Sequence, residues 1–377
     1  MNVATSEPRD EAQAIALKSS VCRLSAEDGR LSYRGYDVTV LGAKSTYEET
    51  AFLLLRGHLP TSSELRAFVS DLHARQKLSP AVLRSLRAVP RGGDAMGALR
   101  LAVAQLAFEH PVDLPPKPEA AMAQALRLLA VTPTLVAAWH RLRLEQRPML
   151  PRKSLTFAAN FLAMVTGTLP DAEAARALDA ALILRADNEL NPSTFAARVT
   201  AATGADVFGA VQSALSALAG PRHGWHARNV MGALEEIGAP ERVGPWVRER
   251  LARQRKVPGF GHVVYRGEDP RVGILRALAE RECRRAGVWP LFRTAQELEA
   301  TMSRETGEHP IVDFYLAPLY RAVGLPTDLF TAVFAVSRMA GWLAHILEQY
   351  SDDKLIRPRA DYIGPVDLDY RPLRQRR

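Results

Sequence analysis

The chain has 377 residues, 47% of them hydrophobic and 24% charged, the balance of a soluble globular protein long enough for two domains. Its two cysteines, Cys22 and Cys283, can close at most one bridge and are expected to be reduced thiols of a cytoplasmic protein. The net charge of +8 invites a nucleic-acid reading, but the arginines alternate with Glu and Asp and no zinc-finger or RNA-binding signature accompanies them, so a surface that attracts anionic small molecules is the more economical expectation.

The chain opens on MNVATSEPRDEAQ, polar and acidic, which matches neither a signal peptide nor an Arg-rich transit sequence. SSVCRLSAEDGRLSYRGYDV alternates like a hairpin, with Asp28-Gly29 as its turn. Helical periodicity then takes over. TYEETAFLLLRGHLP puts acids in a first turn, an apolar face after them, and Gly57 and Pro60 as a stop. SSELRAFVSDLHARQKL follows the same logic, with Ser62 or Ser63 as the cap. AAMAQALRLLAVTPTLVAAWHRLR, FAANFLAMVTG and DLFTAVFAVSRMAGWLAHILEQY carry the broad apolar stripes of core helices. None reaches the roughly eighteen consecutive apolar residues of a membrane span, so no membrane is expected. The fold class is mainly α.

Periodicity breaks in five places, each rich in Gly, Arg, His or acidic groups: 185–194, 220–229, 257–271, 309–315 and 357–364. In the first, DAALILRADNEL reads as a buried helix that ends in Arg185, Asp187, Asn188 and Glu189, followed by the helix-ending Asn191-Pro192. GPRHG sets His223 in a tight turn that lets a ligand approach the backbone. PGFGH repeats the device around His262, although its glycine spacing is neither a P-loop nor a dinucleotide fingerprint. His223, His226 and His262 raise the question of a metal, but no Cys or carboxylate completes a familiar ligand spacing, and none is expected. A serine hydrolase would need a G-x-S-x-G turn, which the chain lacks.

Taken together, GPRHG, PGFGH-x-VY-x₄-DPR, VDFY, SR-x₂-GW-x₂-H and RPR-x₂-Y-x-G resemble the successive signatures of the citrate synthase family, in the family's order. SYRGYDV near the start and ADNELNPSTF are also similar to it, so the likeness runs from about residue 20 to residue 365. The resemblance implies a two-domain helical fold, with a large domain from residues 1–222 and 333–377 and a small one from 223–332. It implies a homodimer that condenses acetyl-CoA, or another short acyl-CoA, with oxaloacetate or a related 2-oxoacid. No metal or redox cofactor is implied, since the CoA thioester is a substrate.

Residue by residue, the resemblance makes Asp313 the base that deprotonates the thioester methyl. It makes His223 the donor to the thioester oxygen and His262 the group that polarises the ketone. Arg271, Arg338 and, from across the dimer interface, Arg357 would bind the carboxylates. Pro258, Gly259, Phe260 and Gly261 would receive the adenine end of CoA, and Arg266 a phosphate of it. Plainer roles stand beside these: Asp313 as a helix cap, Arg338 as a structural arginine, Arg271 paired with Glu268, and His345 and Trp342 as core residues.

The chain departs from the family's pattern at three points. The usual HADHE reads RADNE, so Arg185 and Asn188 replace two histidines, the second of which contacts oxaloacetate. An amide can still donate a hydrogen bond but cannot become cationic. Arg185, three residues earlier on the same helical face, is a candidate to restore that charge. Trp225 replaces a glycine after His223, where positive-φ strain and added bulk are expected. VDFYLA replaces VDFYSG, which predicts a more apolar wall next to Asp313. These changes keep open a member with altered chemistry, or a non-catalytic paralogue that binds CoA esters.

Overall fold

The computed structural model describes residues 17–376, apart from Ala26, Val263 and Arg266. Three short antiparallel strands open it: Cys22–Ser25 (β1), Arg30–Tyr33 (β2) and Tyr36–Asp37 (β3), in the order β1-β2-β3 with Cys22 opposite Tyr33. The anticipated hairpin is therefore present, and Gly29 in its turn has φ +58°.

Sixteen α-helices account for most of the remaining described residues. Val38–Lys44 (α1), Tyr47–Arg56 (α2), Ser62–Ala74 (α3), Pro80–Ala88 (α4) and Ala95–Glu109 (α5) lead to the long Pro118–Arg143 (α6). Phe157–Thr166 (α7), Ala172–Leu184 (α8), Pro192–Ala201 (α9) and Val207–Leu218 (α10) follow. Then come His226–Ile237 (α11), Val243–Ala252 (α12), Val272–Arg285 (α13), Trp289–Thr306 (α14), Val312–Ala322 (α15) and Phe330–Asp352 (α16).

Local chemistry explains the ends. Thr46 caps α2 by accepting from Glu49 N, and Gly57 closes it at φ +86°, a left-handed position that costs glycine little. The cap of α3 is Thr61 rather than Ser62 or Ser63. Its side chain and that of Glu64 bond each other's backbone amides, a reciprocal arrangement that satisfies two orphan donors where a lone serine would satisfy one.

The core is organised around α16, which packs against α6, α9, α10, α2 and α8. Residues 330–346 of it are all buried. Two helices, Pro118–Arg143 and the span Thr327–Asp352, are long and apolar enough to cross a membrane by length and composition, but 83% and 100% of their apolar windows are buried inside the protein. Burying a large aliphatic or aromatic side chain contributes roughly 1.5–3 kcal/mol, which rewards a central helix of this composition. Cys22 and Cys283 are both unpaired and buried.

A stripe of polar groups interrupts this apolar helix. Arg338, Trp342, His345 and Gln349 recur at intervals of four, three and four, which puts them on one face of α16. Each meets the chain that leaves α8. Arg338 Nε donates to the Arg185 carbonyl at 2.8 Å, and Trp342 Nε1 to Ser193 Oγ at 3.0 Å. His345 Nε2 lies 3.1 Å from Asp187 Oδ2, and Gln349 Oε1 accepts from Arg198 Nε at 2.8 Å. Trp342 and His345 are thus core residues that carry a polar duty.

Gly341 lets the two segments meet. Its N–H reaches the Ala186 carbonyl at 3.1 Å, and a Cβ there would fall 2.4 Å from that same oxygen and 2.4 Å from Asp187 Oδ1. Both neighbours are fixed, one by the backbone and one by His345, so neither can yield cheaply. Gly341→Ala should lower the unfolding free energy by about 1–3 kcal/mol. A denaturation midpoint equal to that of the unaltered chain would show that the two segments are not in such close contact.

Candidate active site

The chain between α8 and α9 supplies one wall of a cavity of about 400 Å³. The α8 helix ends at Leu184 with Arg185 as its C-cap, so Arg185 and Asn188 do not share a helical face as expected. They nevertheless both line the cavity, brought together by a turn in which Glu189 takes φ +55°. Asn191 starts α9 by accepting from Ser193 N and Thr194 N.

His223 lines the same cavity from the GPRHG turn, in which His223 N and Gly224 N both donate to the Gly220 carbonyl at 3.1 Å. Only glycine fits position 224, where a Cβ would lie 2.0 Å from the Leu218 carbonyl oxygen. Ser193 Oγ sits 2.8 Å from His223 Nε2 and receives the Trp342 indole N–H. Among the described residues no hydrogen bond uses His223 Nδ1. Ser193 Oγ gives its one proton to Asn191 Oδ1 at 2.7 Å, so toward His223 it acts as the acceptor and Nε2 carries the ring hydrogen.

His262 arrives by a different route. Residues 259–261 run antiparallel to 309–311, with Ile311 N bonded to the Gly259 carbonyl at 2.9 Å and Gly261 N to the His309 carbonyl at 3.3 Å. Gly259 has φ +90°, and a Cβ there would strike Val230 at 2.7 Å and Phe314 at 2.8 Å. This pairing brings His262 alongside the start of α15, which carries Asp313 in its first turn. His262 Nδ1 accepts from Val264 N at 3.0 Å and Tyr265 N at 2.9 Å. Nε2 must then hold the proton of the neutral ring and act as a donor.

Both histidines are kept neutral. Burial, with the Arg338 and Arg185 guanidinium groups behind it, depresses the His223 pKa to about 3. Burial also lowers that of His262, against a smaller opposing pull from Asp269.

Asp313 does not cap its helix; Ile311 takes the cap position without a side-chain bond. Instead Asp313 Oδ1 lies 2.6 Å from Arg185 Nη2, both side chains nearly inaccessible at 6% and 2%. The ion pair is close but poorly angled, so Oδ1 has no well-aligned donor. Arg185 stacks its guanidinium carbon 3.5 Å above the Phe334 ring, Arg338 lies 4.7 Å from the same ring, and His223 meets it edge-on at 5.7 Å. Phe334 is one turn before Arg338 on α16 and serves as a common platform.

The arginines divide sharply. Arg271 forms a two-pronged pair with Asp269, Nε to Oδ1 at 2.8 Å and Nη2 to Oδ2 at 2.7 Å, which corrects the alternative pairing with Glu268. Glu268 binds Arg276 instead. Asp269 Oδ2 also accepts from Val312 N at 3.1 Å, locking the loop to the start of α15. Arg338 has no carboxylate partner among the described residues, and its buried Nη1 has no hydrogen bond at all. Burial lowers its pKa to about 10, against an opposing pull from Asp187, so the cavity holds a buried cation with no direct ion pair among the described residues. An unpaired buried charge is costly, and an anionic ligand would relieve it.

The structure thus gathers His223, His262, Asp313, Asn188, Arg271, Arg338 and Gly261 on one cavity. Asn188 presents a buried Oδ1 without a partner. Pro258, Gly259 and Phe260 do not line it; Phe260 packs against Phe314 at 4.8 Å. Arg357 is exposed, and Arg266 lies outside the described residues.

Two expectations fail. Trp225 has φ −94°, carries no positive-φ strain, and turns away to bond the Ala219 carbonyl at 3.0 Å. Leu316 and Ala317 are fully buried but face the core rather than the cavity. Sequence reasoning missed Ser193 and Phe334 as supports of His223 and Arg185. The four-residue step from Phe334 to Arg338 was the available signal. Two larger clefts, of about 640 and 610 Å³, do not bring two histidines and a carboxylate together. Among the described residues, no group of three His, Cys, Asp or Glu is arranged to hold a metal.

The description "Citrate synthase, C-terminal domain" matches residues 12–359. The chain is a member of the citrate synthase family. It is 40% identical to the citrate synthase of Synechocystis over 364 residues, covering 96% of this chain and 92% of that one. It is 38% identical to a 2-methylcitrate synthase of Mycobacterium tuberculosis over 348 residues, 92% of this chain and 88% of that one. The fold agrees: the crystal structure of citrate synthase from Thermotoga maritima superimposes with a TM-score of 0.86 at 36% identity, covering 97% of this chain and 98% of that one. A ternary complex of carboxymethyl coenzyme A and oxaloacetate with citrate synthase from Thermoplasma acidophilum gives 0.90 at 30% identity, with coverage of 97% and 98%. These relatives are acyltransferases, and the chain belongs with enzymes of that type.

The neutral His223 has a thermodynamic consequence. Its folded pKa lies below the unfolded value near 6.5, so between about pH 6.5 and 3 the unfolded chain binds a proton that the native one refuses. That share of stability is present above pH 6.5 and is lost as pH falls, at a limiting slope of roughly 1.4 kcal/mol per pH unit. His223→Gln should therefore flatten the acid side of the stability profile by about one proton. Parallel profiles in urea titrations from pH 7 to 4 would mean that His223 is not held neutral.

Proposed function

We propose that the protein condenses a short acyl-CoA with oxaloacetate or a closely related 2-oxoacid. The observation that carries this reading is one cavity in which Asp313 stands with two neutral histidines and the guanidinium of Arg338, whose Nη1 has no hydrogen bond. Asp313 takes a proton from the thioester methyl. The C–H electron pair becomes the enol double bond, and charge moves onto the thioester oxygen, which His223 holds through Nδ1–H once the Ser193 hydroxyl turns from Asn191 to Nε2. The enol carbon then attacks the ketone carbon while His262 Nε2–H polarises the ketone oxygen. Hydrolysis of the CoA ester of the product releases the free thiol.

Neutral imidazoles suit both tasks, since each donates a hydrogen bond without adding a cation that would compete for the substrate's carboxylates. Arg338 binds one carboxylate, with Asn188 as a further polar contact. Arg271, held by Asp269, offers its remaining N–H groups and its charge at the cavity wall. Arg357 reaches the same site in a homodimer, from the partner copy. Residues 223–332 form the small domain, whose closure onto residues 1–222 and 333–377 shields the enol from water. Its PGFGH loop, residues 258–261, and Arg266 take the CoA end. The reaction uses no metal and no redox cofactor, and the enzyme works in the cytoplasm.

Purified protein given oxaloacetate with acetyl-CoA or propionyl-CoA is expected to release free thiol. Asp313→Asn should lower kcat by at least about 10²–10⁴-fold, the usual weight of a general base. Binding of the CoA ester without thiol release from any of several 2-oxoacids would replace this reading with a non-catalytic sensor of CoA esters.

A further inference from the structure

Arg185 is a buried cation with an incomplete set of partners. Its Nη2 touches Asp313 Oδ1 at 2.6 Å and its guanidinium lies on Phe334, yet its Nε is buried without a hydrogen bond. Arg338 lines the same cavity, shares the Phe334 ring, and leaves Nη1 unpartnered. Asp313 has no other close charged partner among the described residues, so its charge is met by Arg185 alone. The Arg185 contact occupies Oδ1, so that pair must be broken before Asp313 can take a proton there. Two guanidinium groups side by side, each with an unused buried N–H, suit the planar fork of an incoming carboxylate.

We propose that Arg185 is a positioning residue that restrains Asp313 until the carboxylate of a 2-oxoacid draws its guanidinium away, so that the thioester is enolised only when its condensation partner is present. This rests on the assignment of Asp313 as the base. No group beyond the two substrates takes part: the guanidinium stays protonated, exchanging one anionic partner for another, and Asp313 is freed to receive the methyl proton. The arrangement also compensates for Asn188, which cannot supply a positive charge to the dicarboxylate. Arg185 therefore links recognition of one substrate to activation of the other.

Proton exchange tests the coupling without needing condensation. Acetyl-CoA is incubated with the full-length protein in ²H₂O, and deuterium entering the methyl group is followed by mass spectrometry, with and without malate. Malate presents the two carboxylates but no ketone to condense. The unaltered protein should exchange slowly alone and faster with malate; no rise with malate overturns the proposal. Arg185→Gln should exchange about 10-fold or more faster than the unaltered protein without malate, and lose the response to it. Its KM for oxaloacetate should rise about 10- to 100-fold, with kcat affected less. An oxoacid-free exchange rate no higher than that of the unaltered protein overturns the proposal.

Arg185→His, which places the family's usual residue there, substitutes if the glutamine variant does not fold, with the same direction expected. If neither variant folds, a structure of the unaltered protein with malate decides the matter: Arg185 still paired with Asp313 overturns the proposal. Asp313→Asn separates the two levels of inference. Exchange that survives it removes Asp313 as the base; exchange abolished by it, with Arg185 variants that behave as the unaltered protein does, removes only the role of Arg185.

Discussion

The site depends on a single buried contact, in which the polar face of α16 meets the chain that leaves α8. A helix as apolar as α16 would by itself make an inert core. Arg338, Trp342, His345 and Gln349 give it one hydrogen-bonding edge, and residues 185–198 supply the matching groups. Asp187 is the clearest case. Burial alone would raise its pKa, but His345 and Arg338 outweigh that and hold the carboxyl below its usual range. The close approach of the backbones at Gly341 makes the edge continuous. Because polar groups in this setting lose their partners all at once if either segment shifts, the contact fixes where Arg185, Asn188 and Ser193 stand.

From that edge the rest of the cavity follows. Ser193, held by Trp342, orients His223. Phe334, one turn up α16, carries the two guanidinium groups and the edge of His223. The opposite wall is built independently, from the pairing of residues 259–261 with 309–311 and the clamp of Asp269 on Arg271 and Val312. Asp313 is where the two walls meet. Its ion pair with Arg185 joins a side chain from the α8 end to one from α15, so Asp313 reports the position of both.

Much of this was legible in the sequence. The helices with an unbroken 3.6-residue stripe and a glycine stop, such as α2 and α7, were placed correctly because cap chemistry and periodicity agree there. Apart from Leu24 and the α16 residues Phe334 and Arg338, the residues brought to the cavity come from the Gly-, His- and Arg-rich breaks, where a core helix has no use for them. What the sequence withheld was direction. Trp225 reads as a strained neighbour of His223, yet one rotation of the turn sends its indole to Ala219. Arg271 and Glu268 are close in sequence, but the two-pronged geometry favours Asp269. Leu316 and Ala317 lie three and four residues after Asp313, one turn further along α15, and are buried in the core rather than in the cavity wall. The pairing of Arg185 with Asp313 spans 128 positions of the chain and has no local signature at all.

The central claim is that the Arg185–Asp313 pair belongs to the unliganded site and gives way to substrate. Crystal structures of the protein alone and with oxaloacetate bound test it directly. The account predicts the ion pair in the first. In the second, the Arg185 guanidinium should lie beyond roughly 4 Å from Asp313, the limit of an ion pair, and share a substrate carboxylate with Arg338. Oxaloacetate seated on Arg338 and His262, with Arg185 still on Asp313, would contradict it.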